Sequence, residues 1–374
     1  MTTRMEFNSS LFQGVSVQLD GSKEESDVET LSALPSVKNI WPVYTYSLPN
    51  DENARVLSKE TIQQLSEAIK ADGNDSAKAP LDMIKARELW NEGITGKGIR
   101  IGAVDTGIDY LHPALGGGFG PDYLVTHGHD LVGDAYSGEN TPVPDDDPID
   151  SCNGHGTHVA GIIAGHENPT GFLGVAPGVK LGAYRVFGCA GASTTSEVLI
   201  AAFHRAYDDG NDVITASIGG VGGWAHDAWS VVVSRIVERG VPCTLAAGNE
   251  GAWGVMYTSS GAGGKGVTAV GSVQNVIIPD ILSVGTYISD EEEEKFTYLF
   301  GIPELTTELS LPLWAGSYDV SDESFACEPL PEDTPDLSGF IALVRDGPCG
   351  DGIKAQNIAQ KGAKYFIFFR ESEK

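Results

Sequence analysis

The chain has 374 residues, of which 24 are Lys or Arg and 52 are Asp or Glu, so its formal net charge is −28 at pH 7. This charge argues against nucleic acid or an anionic membrane as a partner, because both repel an acidic surface. The sequence has no run of eighteen apolar residues, so it predicts no membrane span. Its length allows a large core and more than one domain.

The first predicted elements belong to a small α+β segment. Gln13 to Leu19 alternates as a strand does, the capping box Ser26–Glu29 can begin a helix, and Val37 to Val43 predicts a further strand. A polar linker with a predicted maturation region follows over residues 48–80. Met1 to Glu6 is not a signal peptide, since no apolar stretch follows it. Either the protein is cytosolic or its true N-terminus is missing.

After the linker, the predicted elements alternate between helix and strand, which is typical of a parallel sheet covered on both faces. The first helix is expected to carry Ile84, Leu89 and Trp90 on its apolar face. The third is expected to have Thr194 as N-cap, with Glu197 in the reciprocal position. In chain order the predictions are helix Leu81 to Asn91, strand Gly98 to Val104, a helix from His155, strand Lys180 to Val186, helix Thr194 to Gly210, strand Val213 to Ile218, helix His226 to Arg239 and strand Pro242 to Ala247.

Three polar side chains stand where open α/β sheets place their sites. Asp105 follows a buried strand and precedes a glycine, His155 lies between glycines at a helix start, and Asn249 follows a second apolar strand. At a helix N-terminus the partial positive charge keeps an imidazole neutral, ready to act as a base. A neutral amide can donate to a developing oxyanion. The plainer alternatives are that Asp105 caps a turn and that His155 is an isolated histidine.

Four blocks of the sequence resemble the signatures of the subtilisin-like serine proteases, in the order and approximate spacing of that family. They are Asp105-Thr106-Gly107, His155-Gly156-Thr157-His158, Ser217-Ile218-Gly219-Gly220 and Ala246-Ala247-Gly248-Asn249. The resemblance implies a three-layer αβα fold with a parallel sheet, and hydrolysis of peptide bonds by an Asp/His/Ser triad. Asp105 would orient His155, His155 would be the general base, and Asn249 would bind the oxyanion.

The nucleophile of that family is missing from the pattern. Its Gly-Thr-Ser-Met-Ala block has no counterpart after Asn249, and Ser259 and Ser260 stand in a segment that resembles the preceding loop and strand instead. We therefore expect the catalytic serine beyond Lys374. We also expect this chain alone to be inactive.

The resemblance also implies where an extended polypeptide substrate would bind. Two segments would flank it and a third would line the primary specificity pocket. The flanking residues are Gly188 and Gly191 on one side and Ser217, Ile218, Gly219 and Gly220 on the other, and the pocket residues are Ala246, Ala247 and Gly248. The Ser217 to Gly220 segment would also offer an edge to which a peptide adds as a strand.

The ends of the chain resemble accessory parts of such proteases. Residues 1–47 are similar to the end of a propeptide, through Ser36 to Pro42, and would act as inhibitor and folding helper. Residues 81–286 would be an incomplete peptidase domain. Residues 287–374 resemble part of an inserted protease-associated domain, through Leu337 to Gly347. The alternatives are an unrelated α+β piece and an unrelated α/β lid. The last predicted elements are strand Phe340 to Arg345, helix Gln356 to Gly362 and strand Tyr365 to Phe369.

Five cysteines suggest two disulfides, Cys152 with Cys189 and Cys327 with Cys349, and a buried thiol at Cys243. Such bridges fit a secretory compartment. No cofactor is predicted. The acidic run Asp145 to Asp147 offers carboxylates to a structural calcium ion, but consecutive carboxylates are not by themselves a ligand pattern.

The sequence thus predicts a fragment of a secreted, subtilisin-like serine endopeptidase. Its partners would be extended polypeptides and its own propeptide. The alternative is a truncated, non-catalytic protein that binds peptides along the Ser217 to Gly220 edge. A thiol nucleophile, Cys152 beside His155, is less favoured because it lies on the wrong side of the helix start.

Overall fold

A computed structural model describes residues 1–48, 79–166, 171–191, 193–222, 224–273, 283–290, 292–298 and 309–370. The chain divides into two compact units, Met1–Leu299 and Phe300–Lys374. Most of the predicted linker, residues 49–78, lies outside the described residues. The boundaries of the four predicted segments stay predictions.

The first unit begins with an antiparallel hairpin of β1 (Thr2–Asn8) and β2 (Gln13–Gln18), followed by α1 (Glu24–Ser32) and β3 (Thr45–Ser47). The strand predicted over Val37 to Val43 is wrong, since this stretch is irregular and the strand begins two residues after it. A proline within the stretch, which has no N–H to donate to a ladder, explains the difference.

The predicted capping box of α1 is also wrong. The helix begins at Glu24, and the hydroxyl of Ser26 donates to the Lys23 carbonyl oxygen at 2.9 Å, inside the first turn. Three acidic side chains in that turn favour the earlier start, because they lie near the positive end of the helix dipole.

The single helix predicted over Leu81 to Asn91 is interrupted. It consists of α2 (Ala79–Met83) and α3 (Ala86–Asn91), separated at Lys85, which has a φ of 61°. Leu81 and Ala86 are buried, whereas Ile84 and Leu89 are exposed, contrary to the expected apolar face. Residues five apart lie about 140° apart around a continuous helix. The break lets both buried side chains face the core.

A six-stranded parallel sheet forms the centre of the first unit. Its strands lie in the order β10 (Thr268–Val270), β9 (Cys243–Ala246), β8 (Val213–Ala216), β4 (Arg100–Asp105), β6 (Lys180–Arg185) and β5 (Val125–Asp130), and each pairs with its neighbour in parallel. The remaining elements of this part are α4 (His155–Ala164), β7 (Ser193–Thr195), α5 (Ser196–Asp208) and α6 (Ala228–Glu238).

Helices cover both faces of this sheet. Leu181 and Ala183 of β6 belong to the apolar cluster that contains Ala160 of α4. Tyr184, one residue further along β6, belongs to the other cluster, with Trp229 of α6 and several side chains of α5. Successive side chains of a strand point to opposite faces. The fold is therefore the three-layer α/β arrangement that the sequence predicts.

The predicted N-cap of α5 is wrong. The helix begins at Ser196, its N-cap residue is Thr195, and no side chain caps it. Glu197 instead receives hydrogen bonds from Arg4 of β1 and from the hydroxyl of Ser16 of β2. A buried carboxylate needs such partners, which are remote in sequence.

The antiparallel hairpin of β11 (Ser283–Ser289) and β12 (Glu292–Tyr298) ends the described part of the first unit. The second unit has a parallel sheet of β13 (Leu313–Ala315), β14 (Ile341–Arg345) and β15 (Tyr365–Phe369), with α7 (Asp351–Ala359) between the last two strands. This helix begins earlier than the predicted Gln356. No helix in the described residues is long and apolar enough to cross a membrane.

Candidate active site

Asp105 and His155 meet at the carboxyl end of the central strand. Asp105 is the last residue of β4 and is 1% exposed, and His155 is the first residue of α4. The Nδ1 atom of His155 lies 2.7 Å from Oδ1 of Asp105, which also accepts the Thr106 amide at 2.8 Å. Because a carboxylate only accepts, the geometry assigns the Nδ1 proton to the imidazole.

Burial raises the pKa of the Asp105 carboxyl, while the hydrogen bond and charge of His155 oppose this shift. The other oxygen, Oδ2, is buried and has no hydrogen-bond partner among the described residues. The ionised form of this carboxylate therefore depends on His155 more than an exposed carboxylate would. The ionised Asp105 carboxylate in turn stabilises the cationic form of the His155 imidazole more than its neutral form.

Glycine is required where α4 approaches β4. A Cβ at Gly156 would lie 2.1 Å from the carbonyl oxygen of Gly107 and 3.0 Å from the Cβ of Asp105. These contacts are shorter than van der Waals distances, so only glycine allows the approach. The close approach keeps His155 within hydrogen-bond distance of Asp105.

Asp150 organises the loop before His155, and sequence reasoning missed it. Its Oδ2 accepts the hydroxyl of Thr106 at 2.6 Å and the amide of Gly154 at 2.7 Å. Its Oδ1 accepts the amides of Asn153 and Cys152 at 2.8 and 3.2 Å. Asp150 is 4% exposed. The run of Asp, Gly and Asn before the helix is the only sequence signal of this loop.

Thr106 completes a ring of hydrogen bonds around the Asp105–His155 pair. Its hydroxyl oxygen accepts the amide of Gly156 at 2.9 Å while its proton goes to Asp150. The same residue donates its amide to Asp105. Thr106 therefore connects the carboxylate, the loop and the start of α4.

Asn249 follows β9 at the same end of the sheet, since β9, β8 and β4 are parallel. The residue is exposed, and its backbone amide donates to Oε2 of Glu250 at 2.9 Å. Asn249 thus shares an edge with Asp105, with one strand between them. Its role at an oxyanion stays a prediction.

The predicted pocket segments contact each other through Ser259. A Cβ at Gly219 would lie 2.6 Å from the Cβ of Ser259, whose amide donates to the Ala247 carbonyl at 2.8 Å. The Ser260 amide donates to the Gly220 carbonyl at 3.3 Å. The structure thus brings together the segments that contain Ser217, Gly219 and Gly220 and those that contain Ala246, Ala247 and Gly248. The side chain of Ile218 is 1% exposed and packs in the core.

Gly188 and Gly191 lie against the loop that follows β5. A Cβ at Gly188 would lie 2.3 Å from the Tyr136 carbonyl oxygen, and one at Gly191 would lie 2.9 Å from that of Ser137. Both glycines therefore allow close backbone packing. Contact with a substrate at these positions is untested.

The structure joins Cys152 to Cys189 and Cys327 to Cys349. The first bridge ties the loop before His155 to the segment after β6, so a Cys152 thiol is not available as a nucleophile. Burial raises the pKa of the unpaired Cys243 thiol to about 12.

A buried guanidinium lies beside the first disulfide. Nη2 of Arg185 is 3.3 Å from Sγ of Cys189 and 3.8 Å from Sγ of Cys152. Its Nη1 donates to Asp130 at 3.0 Å and to Asp134 at 2.7 Å. The carboxylates balance the buried charge, and the guanidinium joins β6 to the bridge.

Within the described residues, no three His, Cys, Asp or Glu side chains converge as metal ligands would. In the predicted acidic run, Asp147 accepts the Tyr110 hydroxyl at 2.6 Å, and Asp146 lies 3.1 Å from Nδ1 of His129. Structural calcium stays an untested expectation.

The sequence pattern of the Subtilase family matches residues 96–357, which include Asp105, His155 and Asn249. The chain belongs to the subtilase family. This match covers most of the chain and agrees with the parallel sheet and the Asp105–His155 geometry.

Known subtilases are similar to this chain. It is 30% identical over 353 residues to the minor extracellular protease Vpr of Bacillus subtilis (strain 168), covering 94% of this chain and 40% of Vpr. It is 34% identical over 174 residues to the major intracellular serine protease of the same organism, covering 46% of this chain and 49% of that protease. The solved structure of fervidolysin, from Fervidobacterium pennivorans, matches with 30% identity and a TM-score of 0.33. The match covers 43% of this chain and 23% of the fervidolysin chain. The chain thus spans less than half the length of these relatives.

Proposed function

We propose that the complete protein is a serine endopeptidase that hydrolyses extended polypeptides. The observation that carries the proposal is the 2.7 Å contact between Nδ1 of His155 and Oδ1 of the buried Asp105, at the carboxyl edge of the sheet. A base that is oriented by a buried carboxylate is the arrangement that activates a serine hydroxyl.

In the proposed reaction, Nε2 of His155 takes the proton of a serine hydroxyl as its oxygen attacks the substrate carbonyl carbon. Asp105 holds the imidazole in the required tautomer and stabilises its cation, and the side-chain amide of Asn249 donates to the oxyanion. The imidazolium then gives its proton to the leaving amine as the peptide C–N bond breaks. Water, deprotonated by the same histidine, hydrolyses the acyl-enzyme.

The serine itself is proposed to come from a segment that follows Lys374, because no serine after Asn249 stands in the motif of the family. Ser259 and Ser260 are 1% and 4% exposed, which disfavours either as a nucleophile. The 374-residue chain alone would accordingly bind peptides without hydrolysing them. Such binding also describes the alternative, a non-catalytic peptide-binding protein, which no comparison favours.

Residues 1–47 are proposed to be this enzyme's own inhibitor, and their docking on α5 and α6 supports that role. Arg4 contacts the buried Glu197 of α5 at 2.6 Å. Arg235 of α6 donates to the Leu11 carbonyl oxygen at 2.6 Å. The segment thus packs on the peptidase fold through these polar contacts and through Phe7, Leu11 and Phe12, which share an apolar cluster with side chains of α5 and α6. We also propose secretion, since relatives such as Vpr are named as extracellular, although an intracellular relative exists.

The test is hydrolysis of an unfolded protein substrate by the complete protein. We expect activity in the wild type and in His112→Gln, a control at an exposed histidine that precedes the short helix Pro113–Leu115, and a loss of at least about a thousandfold in His155→Gln. Equal activity in the two variants would exclude the proposed base. Binding of the substrate without cleavage by the complete wild type would favour the alternative.

A further inference from the structure

The disulfide between Cys152 and Cys189 lies at the surface, and its first cysteine closely precedes His155 in the chain. Both of these cysteines are exposed, whereas Cys327 and Cys349 of the other bridge are half-buried. Exchange of a disulfide with a thiol requires access, because the attacking thiolate must reach one of the two sulfurs. The first bridge is therefore the more open of the two to a small thiol in water.

The two sulfurs of this bridge differ in their surroundings. Nη2 of the buried Arg185 lies 3.3 Å from Sγ of Cys189 and 3.8 Å from Sγ of Cys152. A guanidinium N–H donates most strongly to a sulfur that carries a negative charge, and a more stable thiolate leaves a disulfide faster. Sγ of Cys189 is therefore the better leaving group, and Sγ of Cys152 is the atom that a thiolate attacks.

Two carboxylates share the guanidinium with the bridge. Oδ1 of Asp134 lies 3.6 Å from Sγ of Cys189, where its charge opposes a thiolate. The Asp134 side chain is 72% exposed and binds Nη1 of Arg185 at 2.7 Å, so water and the guanidinium screen its charge. Asp130 is buried and accepts from the same Nη1 at 3.0 Å. Nη2 thus remains directed at the sulfur, and removal of the Asp134 charge should strengthen its effect.

The bridge is attached to the loop that positions His155. The amide of Cys152 donates to Oδ1 of Asp150 at 3.2 Å, and Oδ2 accepts the amide of the residue before His155 at 2.7 Å. The other half of the bridge is anchored separately, since the amide of Cys189 donates to the Asp134 carbonyl oxygen at 2.8 Å. Opening the bridge therefore loosens the loop of His155 while the Cys189 segment stays in place.

We propose that Cys152 is a site of modification by a small thiol such as glutathione, and that this modification loosens His155 from Asp105. The thiolate forms a bond to Sγ of Cys152 as the bond between Cys152 and Cys189 breaks. The electron pair of the broken bond stays on Sγ of Cys189, which is reduced to a thiolate beside Arg185. The small thiol loses its proton to water and is oxidised to the disulfide level. This exchange needs no serine nucleophile, so it is independent of the proposed hydrolysis.

The test incubates the 374-residue chain with reduced glutathione. The reaction is stopped with acid, the free thiols are alkylated, and the peptides are mapped by mass spectrometry. We expect glutathione on Cys152 at least about tenfold more often than on Cys189, because a hydrogen bond to a charged group favours the Cys189 thiolate by at least that factor. The alkylating group is expected on Cys189 of the same molecules.

Two variants separate the role of the guanidinium from simple access. Arg185→Lys keeps the charge that Asp130 needs but removes Nη2, so the preference for Cys152 over Cys189 should decrease. Asp134→Asn changes an exposed side chain and removes the opposing charge, so exchange at Cys152 should become about two- to fivefold faster. Each variant is first checked for an unchanged circular dichroism spectrum. The exposed position of Asp134 makes its variant informative even if Arg185→Lys does not fold.

The effect on the base is measured in the modified chain. Hydrogen exchange of the Gly154 amide should become at least about tenfold faster, and the Nδ1 proton resonance of His155 should broaden. The Cys327–Cys349 bridge in the same sample should be modified more slowly. No modification at Cys152, an equal amount of glutathione on Cys189, no acceleration in Asp134→Asn, or unchanged exchange of the Gly154 amide after modification would overturn the inference.

Discussion

Replacing Asp150 by alanine should free the loop that holds His155 against Asp105. The substitution removes four hydrogen bonds, of which that from the Thr106 hydroxyl is buried and the three from loop amides are partly buried. Counting about 2 kcal/mol for the buried bond to a charged group and about 0.5 to 1 kcal/mol for each of the three amides, which water can replace, gives about 3.5 to 5 kcal/mol. Asp150→Asn, which keeps one accepting oxygen, should lose about half of this.

Hydrogen exchange of the Gly154 and Gly156 amides measures this loss locally. At about 3.5 kcal/mol, exchange by local opening should become on the order of several hundredfold faster in Asp150→Ala than in the wild type. The proton resonance of His155 Nδ1 should broaden at the same time, because the imidazole leaves Asp105. Unchanged exchange and an unchanged Nδ1 resonance would refute the reasoning that Asp150 positions the base.

Three further predictions concern pH, the disulfide and packing. Burial lowers the pKa of His127 and His204, so stability should be retained above the ordinary histidine pKa of about 6.5 and fall below it, by up to about 1.4 kcal/mol per pH unit for each histidine. Urea midpoints between pH 7.5 and 5.5 measure this loss. If the midpoint falls with pH as steeply in the double variant His127→Gln, His204→Gln as in the wild type, the prediction is contradicted. Cys189→Ser opens the bridge to Cys152, whose separation of 37 residues predicts a loss of about 3 to 4 kcal/mol. A urea midpoint equal to that of the wild type would be inconsistent with that bridge. Gly156→Ala should abolish the Nδ1 resonance of His155, whereas retention of the signal would show that the helix can move away.

The pair at the centre of the site was predictable from sequence. Asp105 follows an apolar run and His155 begins a helix with buried small residues, so both positions follow from local patterns and from parallel-sheet topology. The parallel sheet was predictable for the same reason, because its central strands are short apolar runs between helices. β5 was not predicted, since its sequence Val-Thr-His-Gly-His-Asp lacks the apolar pattern of a strand.

Contacts between distant parts of the chain were not predictable. Glu197 has the spacing of a helix cap, yet its partner Arg4 lies on another element. The role of Asp150 depends on Thr106, which follows the end of β4 and so lies beside the loop that precedes His155. Tyr46 finds Asp227 and Ser260 only after the whole first unit has folded. Local patterns give each element its type, whereas these polar pairs arise from packing.

The most direct measurement of the central claim is the labelling of the complete protein with a fluorophosphonate, followed by mass spectrometry of its peptides. The account predicts one modified serine, outside the Met1 to Lys374 sequence, in the wild type and in His112→Gln. It predicts no modification in His155→Gln, because the serine then lacks its base. Equal labelling in His155→Gln, or no modified serine in the wild type, would contradict the account.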